Sequence, residues 1–559
     1  MPGYIGAGGV ARKVKAVYVG VGGVARKVQA VYAGVNGVAR KVWGGEEVTV
    51  NINIDDIAGF SSVTITCVDE TNPTETKTAT ITATQRTASF TVPIGDTYHI
   101  EYGAAYGYSK PDNTASKVSV AGETTTYEAT YYYFIATINV TYPSGATLTC
   151  SYGSTVYTAT TTTGSYQFQV HEVGTWVIKA VQGSEEVSTS VSITTDGQQE
   201  SVALSFLRIY GIRRNITASS PAWARTDNAV GMTATASVGA RAGHSDFDNC
   251  APWSGMVRET LSTGDVMVKI PRFWYRRYRE GNIEYIKIAE KAVAGFTLHP
   301  LFNHAGVESD CAYVGAYETS SNNKSVSGAS PQVNQTRATF RTNAKAKGTG
   351  WSLIDIAAVS AIQMLCMVEF ATNNVQSKIG RGYCDDNDSS LRTGSCDSVP
   401  DLTGRPAGTD GKTGVVYRGI EDFWGNVWEW VDGVNWNGDV YSGGTYYVCN
   451  NPANYADDTA TNYTALSYKG NGGWSASYIT TEGLDTGNNS HVMLPSAAGS
   501  GSESTYYCDA CWGHFRWRMF RRGGFWRDGS ECGLFAANLG DTSSASYRSI
   551  GSRLLYIPS

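Results

Sequence analysis

The sequence has little charge and no long apolar run. Charged residues make up 17% of the 559 residues, and no run of about 18 apolar residues occurs, so we expect no membrane-spanning helix. The start, MPGYIGAGGV, lacks the charged residues and the long apolar run of a secretory signal. The eleven cysteines are scattered and odd in number, which implies no closed disulfide framework. These absences predict a soluble chain that is made in a reducing cytoplasm without a signal peptide.

Charge is spread unevenly along the chain. Residues 1–45 contain seven of the 44 Lys and Arg residues and no acid, so the remaining 37 bases face all 50 acids. A basic head on an acidic body suits nucleic-acid binding or a docking surface for another protein. The length predicts roughly three to five domains, and the abundant Thr, Ser, Gly and Tyr favour strands and loops over exposed helices.

The basic head, residues 1–45, is an internal repeat. The segment GVARKV begins at Gly9, Gly23 and Gly37, a period of 14 residues. Val, Lys and Tyr alternate between the glycines, which predicts short strands joined by tight turns. A unit of this size cannot bury a core alone, so we expect the repeats to stack on one another or on another chain. A flexible basic tail is the alternative, although disordered tails lack such regular spacing.

Residues 46–133 and 134–207 are the next two predicted domains. In both, apolar and polar residues alternate over strand-length segments such as TATITATQRTASFTV and GSYQFQVHEVGTWVIKA. This pattern, interrupted by Gly, Pro and Asp turns, predicts two small antiparallel β-sandwiches. Cys67 and Cys150 are single in their domains, and we expect both to be buried thiols.

The composition changes near residue 208. Twelve of the fourteen tryptophans lie between this point and the C-terminus. MVKIPRFWYRRY has the pattern of a strand with alternating faces, and residues 354–376 are the one long stretch with helical periodicity. Residues 208–559 are therefore predicted to form an α+β domain with irregular loops, one or two helices and a small sheet.

The most specific segment of this domain is RGIEDFWGNVWEWVDG, residues 418–433. Gly425 and Asn426 suit a turn that needs positive φ. Glu429 lies between two tryptophans and needs a partner if it is buried, for which a nearby arginine is the natural candidate. The tryptophans suit either a stacking platform for sugars or a packed structural core, and we favour the core.

GNVWEW, the later RRGGFW and the terminal IGSRLLY resemble the C-type-lectin fold that formylglycine-generating-type domains share with variable proteins of diversity-generating retroelements. The stretch from IYGIRRN through MVKIPRFWYRR to YVGAYE is similar to phage tail receptor-binding modules. Together these resemblances cover about residues 208–559. The head repeat separately resembles repeats of phage tail proteins, and YPSGATLTCSYG resembles their immunoglobulin-like spacers.

The resemblance implies a phage or prophage tail adhesin on the virion tail, whose lectin-like tip binds a protein or glycan of the bacterial surface. Residues 1–45 would attach to other tail proteins, and residues 46–207 would act as spacers. Such fibres imply a homotrimer, although the sequence has no heptad stretch. Nucleic-acid binding and membrane insertion are not expected. The alternatives are an invariant structural tail protein and an enzyme similar to formylglycine-generating enzymes.

In retroelement-diversified proteins, adenines in selected codons are randomised, and the affected residues lie on a fixed frame. Carried onto this sequence, the variable segment covers about residues 505–553. An Asn codon randomised at its adenines cannot become Trp or Met, which argues against variation at Trp512, Trp517, Met519 and Trp526. The residues implied to be frame are Arg522, Gly523, Gly524, Trp526, Gly533, Phe535, Gly551 and Arg553. The residues implied to contact the ligand are Tyr507, Asp509, Ala510, His514, Phe515, Arg516, Arg518, Phe525, Arg527, Asp528, Tyr547 and Arg548.

The implied contact residues suit a binding face, because Tyr and Arg are enriched at interface hot spots and Tyr in paratopes. Seven arginines face four acids between residue 505 and the C-terminus. This local excess of positive charge favours an acidic glycan or protein, unless some of the arginines are buried in ion pairs.

Motifs for catalysis or metal binding are weak. CDACW, residues 508–512, has the spacing of a zinc or redox pair, but only His514 is near enough to add a ligand. CDDNDSS, residues 384–390, lacks the glycine and glutamate of an EF-hand loop. No cysteine follows Cys532, whereas formylglycine-generating enzymes use a cysteine pair near the C-terminus. The sequence leaves open whether folding brings together a pair of carboxylates that could cleave a glycan. We expect a binding protein without catalytic residues, metal or cofactor.

Overall fold

The computed structural model describes residues 4–558 except 8–9, 14–16, 22–23, 29, 36–37, 45, 56–61, 106, 184, 305, 387, 440–442, 471–472 and 474, and it describes residues 4–44 and 109 by their backbone alone. Contacts between residues divide the chain into two compact units, Met1–Phe206 and Leu207–Ser559. The second unit begins beside the composition change near residue 208. The described residues are mostly β, with two α-helices.

Three two-stranded antiparallel hairpins form the described part of the basic head. In each hairpin the repeated VARK segment lies in the second strand, so the predicted short strands are present. The predicted turns at 8–9, 22–23 and 36–37 lie outside the described residues. The hairpin strands are Tyr4–Ala7 (β1), Val10–Lys13 (β2), Val17–Val21 (β3), Val24–Val28 (β4), Ala30–Val35 (β5) and Val38–Gly44 (β6).

Two seven-stranded β-sandwiches follow the head in the first unit, which also contains the short paired strands Tyr108–Ser109 and Tyr132–Tyr133. The first consists of Glu47–Ile54 (β7), Ser62–Asp69 (β8), Lys77–Thr82 (β9), Thr87–Pro93 (β10), Thr97–Tyr102 (β11), Lys117–Val118 (β12) and Thr124–Ala129 (β13). The second consists of Ala136–Thr141 (β14), Thr147–Tyr152 (β15), Thr155–Thr158 (β16), Ser165–Val170 (β17), Gly174–Gln182 (β18), Glu185–Ile193 (β19) and Gln199–Ala203 (β20).

The two sandwiches share one topology. In each, the first strand lies between the fourth and the seventh in a three-stranded sheet, and it runs parallel to the seventh. The other sheet has the order third, second, fifth, sixth. Two unlike sequences therefore build the same arrangement in tandem.

Alternating side chains explain why these segments form sandwiches. In β7 every second residue is buried, from Val48 to Ile54, because alternate side chains point to opposite faces of a strand. Trp176 of β18 is fully buried in the second core. Cys67 and Cys150 are buried and free, as predicted, and burial raises the pKa of these thiols to about 11 and about 12.

Among the strands of the second unit are Ile209–Asn215 (β21), Ala224–Asp227 (β22), Val257–Thr260 (β23), Val266–Pro271 (β24), Trp274–Glu280 (β25), Ile283–Ala289 (β26), Cys311–Gly315 (β27), Trp351–Leu353 (β28), Trp428–Asp439 (β29), Gly443–Val448 (β30), Thr464–Gly470 (β31), Ser477–Glu482 (β32), Pro495–Ala498 (β33), Ala510–Gly513 (β34), Arg516–Arg522 (β35), Ala537–Leu539 (β36), Ile550–Gly551 (β37) and Leu554–Tyr556 (β38). Its helices are Arg337–Lys345 (α1) and Ile356–Phe370 (α2).

Three sheets organise these strands. One has the order β22-β21-β26-β25, with the short strand Thr297–Leu298 beside β25 as its fifth member. A second has the order β23-β24-β27-β38-β28. The third and largest has the order β31-β30-β29-β35-β36-β34-β32-β33, with β37 pairing in parallel with β29. The C-terminal strand β38 lies inside the second sheet, and the predicted variable segment supplies central strands of the third.

Helix α2 packs against β21, β26 and β29. All of its side chains are buried, which agrees with its apolar residues on every face. The Asp355 carboxylate caps its start by accepting a hydrogen bond from the N–H of Ala358 at 2.9 Å. The helix is shorter than the predicted 354–376 because Ala371 adopts a left-handed conformation with φ of +50°. Helix α1 was not predicted, since polar residues dominate it.

Candidate functional site

Three neighbouring strands of the largest sheet, β34, β35 and β36, contain much of the predicted variable segment. Strand β36 lies between the other two, antiparallel to β35 and parallel to β34. In this register Trp512, Asn538 and Arg521 form one row across the strands, and Ala537 and Arg522 belong to the next row. Because side chains alternate along each strand, the two rows face opposite sides of the sheet. One side is core and the other borders a pocket.

A buried ion triad holds the core side together. Glu429 of β29 pairs through Oε2 with Nη1 of Arg522 at 2.8 Å and through Oε1 with Nε of Arg553 at 2.8 Å. All three side chains are at most 1% exposed. The expected arginine partner of Glu429 is therefore confirmed. Burial lowers the pKa of Arg522 to about 10, although the adjacent Glu429 carboxylate favours its charged form.

The residues implied to be frame are all buried. Gly524 has a φ of +87°, and a Cβ there would overlap the Sγ of Cys532 and lie 3.0 Å from its Cα. No other residue type fits this conformation and this space without strain. The buried frame positions are Arg522, Gly523, Gly524, Trp526, Gly533, Phe535, Gly551 and Arg553.

On the other side of the sheet lies a pocket of about 520 Å³. Trp428 and Trp512, whose rings meet edge to face at 5.3 Å, form part of its wall. The guanidinium of Arg521 lies 5.0 Å from the ring centre of Trp428. The volume falls within the roughly 300–1,000 Å³ typical of small-molecule sites. We call this the variable-segment pocket, because most of its lining comes from residues 512–549.

Nine of the twelve predicted contact residues are exposed or half-buried. His514, Phe525, Asp528 and Tyr547 line the variable-segment pocket. Phe515, Arg516, Arg518, Arg527 and Arg548 lie at the surface outside its lining. His514 accepts hydrogen bonds at Nδ1 from the Phe515 N–H and from Arg518 Nη2, both at 2.9 Å. These contacts connect the pocket wall to the adjoining surface.

The other three predicted contact residues are corrected by the structure. Tyr507, Asp509 and Ala510 are at most 2% exposed. Asp509 accepts a hydrogen bond from the N–H of Phe535 at 2.7 Å, and Tyr507 packs edge to face on the Phe535 ring at 5.1 Å. They belong to the core, because the chain here enters the sheet through β34. The prediction that they contact a ligand is therefore wrong.

Carboxyl groups outnumber arginines in the lining of the variable-segment pocket. Arg521 pairs with Asp541 at 2.7 Å, and Asp528 and Glu531 add two further carboxyl groups to the lining. Burial raises the pKa of Asp528 to about 7, despite the hydrogen bond that its Oδ2 accepts from the Phe525 N–H. The seven arginines of the segment therefore do not make this pocket basic. Three of them, Arg521, Arg522 and Arg553, are already held in ion pairs.

The Asp528 carboxyl gives a pH-dependent prediction. Its pKa is raised above the unfolded value near 4, so the folded state binds more protons between about pH 4 and pH 7, and stability falls as the pH rises through this range. Asp528→Asn removes the penalty, so the variant should exceed the wild type in free energy of unfolding by about 1–3 kcal/mol at pH 8 and by much less at pH 4. Urea titrations at both pH values measure this. A difference independent of pH would show that Asp528 titrates normally.

Sequence reasoning missed pocket residues that the strand register explains. Arg521 precedes the buried Arg522 in β35, so alternation places it on the opposite side of the sheet. The same rule places Trp428 opposite Glu429. Trp428 is 2% exposed, in line with the favoured packed core, yet it also borders the pocket. Asn538 could not be predicted to line the pocket, because its pairing with Trp512 joins two segments that are separate in the sequence.

The cysteines of CDACW are free thiols in the structure, and an aspartate of CDDNDSS forms an ion pair. All eleven cysteines are described and free, and burial raises the pKa of the Cys508 thiol to about 12. Asp385 of the CDDNDSS segment pairs with Arg381 at 3.0 Å. Among the described residues, no group of three or more His, Cys, Asp and Glu side chains is placed to hold a metal ion. No helix in this part of the chain has the length and hydropathy to cross a membrane.

Of the comparisons with known proteins, the one with solved structures finds matches. No family model matches the chain, and no curated protein matches it. Similar solved structures include the TIE protein of Bacillus anthracis (16% identity, 33% of this chain and 41% of that chain, TM-score 0.18). They also include the shaft pilin SpaA of Lactobacillus rhamnosus GG (10% identity, 29% of this chain and 96% of that chain, TM-score 0.18). A third is the minor pilin GBS52 of Streptococcus agalactiae (10% identity, 29% of this chain and 95% of that chain, TM-score 0.20).

This chain spans less than half the length of the TIE protein. Likenesses with TM-scores this low do not assign a function.

Proposed function

We propose that this chain is a receptor-binding adhesin of a phage or prophage tail. Its second unit is a C-type-lectin-like domain whose variable-segment pocket binds a molecule of the bacterial surface, and the residues around this pocket are diversified by a retroelement. Residues 1–45 attach the chain to other tail proteins, and the two sandwiches act as spacers within a homotrimer. The chain is made in the host cytoplasm and works on the virion as a binding protein without enzymatic activity.

The observation that carries this proposal is the division of one short segment between core and surface. Every residue implied to be frame is buried, whereas nine of the twelve implied contact residues are exposed or half-buried. Four of those nine line one pocket. A frame that tolerates no change, interleaved with side chains that the fold does not need, is what a diversified binding site requires.

The chemistry of the pocket favours a ligand rich in hydrogen-bond donors. Aromatic rings of Trp512, Phe525 and Tyr547 offer faces on which a sugar ring or an apolar side chain can stack. Asp528 and Glu531 can accept hydrogen bonds from hydroxyl or ammonium groups. A glycan or a basic protein loop therefore suits this pocket better than the acidic ligand that the arginine count alone favours.

Tyr547 provides the direct test. It lines the pocket and is 53% exposed, so Tyr547→Ala should leave the fold intact and remove a stacking surface. We expect at least about tenfold weaker binding to a bacterial strain that the wild-type chain coats, which corresponds to about 1.4 kcal/mol for a hot-spot residue. Flow cytometry of cells with fluorescently labelled protein measures the change.

The matched control is Tyr132→Ala, at a tyrosine of the first unit that is 67% exposed. It should bind cells as the wild type does. Equal binding by both variants would place the receptor site elsewhere on the chain. A loss with both would point to a general effect of removing surface aromatic groups.

A further inference from the structure

A second pocket of the second unit is lined mainly by asparagine. It has a volume of about 450 Å³, and seven of its twelve lining residues are asparagines. It shares no lining residue with the variable-segment pocket. We infer that this asparagine pocket binds a neutral, hydroxyl-rich saccharide.

The hydrogen bonds of the pocket fix which amide atoms a ligand meets. Asn303 Oδ1 accepts a hydrogen bond from the Gly306 N–H at 3.0 Å, and Asn451 Oδ1 accepts one from the Ala453 N–H at 3.0 Å. Because their oxygens are engaged by backbone groups, these two amides present N–H donors to a ligand.

An acceptor is also in place. Asn450 Nδ2 donates to Asn489 Oδ1 at 3.3 Å, and Asn450 Oδ1 is buried without a partner among the described residues. A buried polar atom without a partner costs about 1–3 kcal/mol unless a ligand or water satisfies it. Donors and acceptors therefore occur side by side in this pocket. A sugar hydroxyl, which donates and accepts at once, matches both.

The charge of the lining disfavours anionic ligands. Asp485 is the one charged residue among the described lining, and its Oδ1 accepts a hydrogen bond from the Ser467 N–H at 2.8 Å. The described lining contains no Lys or Arg to neutralise a phosphate, sulfate or carboxylate. It also contains no aromatic ring for stacking, so we expect binding in the millimolar range.

Saturation-transfer NMR on the full chain tests this inference. The probes are methyl glycosides of glucose, galactose, mannose and N-acetylglucosamine, short neutral oligosaccharides and, for comparison, glucuronic acid. We expect at least one neutral probe to receive saturation and glucuronic acid to receive none. Oligosaccharides that bind more tightly than every methyl glycoside would identify a glycan chain as the natural ligand, and equal binding would identify a single sugar. Absence of binding by all neutral probes, or preference for glucuronic acid, would overturn the inference.

Variants locate the binding. Asn454 and Asn488 line the pocket at partly or fully exposed positions, so Asn454→Ala with Asn488→Ala should leave the fold intact and weaken binding at least about tenfold. Thr464→Trp, at an exposed lining position, should block the pocket. Asn282→Ala, at an exposed turn of the same unit, is the matched control and should bind normally.

Tyr547→Ala should also keep full saccharide binding, because Tyr547 belongs to the other pocket. Loss with Tyr547→Ala, or normal binding by the Asn454→Ala, Asn488→Ala double variant, would place the saccharide outside the asparagine pocket. Failure of this inference leaves the proposed receptor site unaffected, because that site is judged by cell binding.

Discussion

Glu429→Gln is expected to lower the free energy of unfolding of the second unit by about 3–5 kcal/mol. The substitution keeps the shape of the side chain but removes the one negative charge that Arg522 and Arg553 share in the core. Breaking a buried ion pair by removing one partner leaves an uncompensated charge in a poorly hydrated site. Glu429→Gln leaves two buried arginines, Arg522 and Arg553, without this carboxylate partner. Tryptophan fluorescence during urea unfolding reports on this unit, since twelve of the fourteen tryptophans lie from residue 208 onwards.

The matched control is Asp310→Asn, which makes the same change in an exposed pair. Asp310 lies 2.9 Å from Arg272, with 87% and 40% of the two side chains exposed. Exposed pairs contribute about 0–1 kcal/mol, so this variant should unfold close to the wild type. If Glu429→Gln were as mild as Asp310→Asn, the triad would not hold the frame, and its burial would be incidental to stability.

Gly524→Ala is expected to destabilise the second unit by about 2–4 kcal/mol. Part of the loss, about 1 kcal/mol, comes from the φ of +87°, which side chains disfavour. The rest comes from overlap of the new Cβ with Cys532, since adding a methyl group to a packed site costs about 1–3 kcal/mol. The same urea titration measures it. Gly524 allows the backbone to pass close to Cys532, and the next residue, Phe525, lines the variable-segment pocket.

Gly231→Ala separates the two contributions. Gly231 has a nearly equal φ of +83°, but nothing lies within 4 Å of the position of its Cβ. This variant should lose only about 1 kcal/mol, from backbone strain alone. Equal losses at Gly231 and Gly524 would mean that the frame can move aside from Cys532. The glycine would then be replaceable.

Alternation and side-chain chemistry made much of the fold predictable. The strands of both sandwiches follow from alternating apolar residues, and helix α2 lies within the one long stretch of helical periodicity, residues 354–376. The partner of Glu429 was predictable as an arginine because a carboxylate between two buried tryptophans needs a cation. The glycines of RRGGFW indicated backbone positions that side chains cannot occupy, and the structure places both in a buried loop after β35 with positive φ.

Long-range pairing was not predictable from local pattern. Codon arithmetic assigned Tyr507 and Asp509 to the contact set because it carries no information on burial, and the structure puts both in the core. Arg521 and Trp428 border the pocket because β29 and β35 pair in one particular register. The asparagine pocket joins four separate segments of the sequence, around residues 303, 450, 462 and 488. Its composition is visible only once those segments meet.

The central claim is that residues 505–553 combine a fixed frame with a diversified binding surface, and the coding DNA tests it most directly. Sequencing the DNA beside the gene should reveal a near-copy of the codons for residues 505–559, close to a reverse-transcriptase gene. Differences should coincide with adenines of the copy and fall in codons for exposed or half-buried residues such as His514, Phe525 and Tyr547. None should fall at Arg522 or Gly524. Absence of a copy, or differences concentrated at the buried frame positions, would contradict the claim.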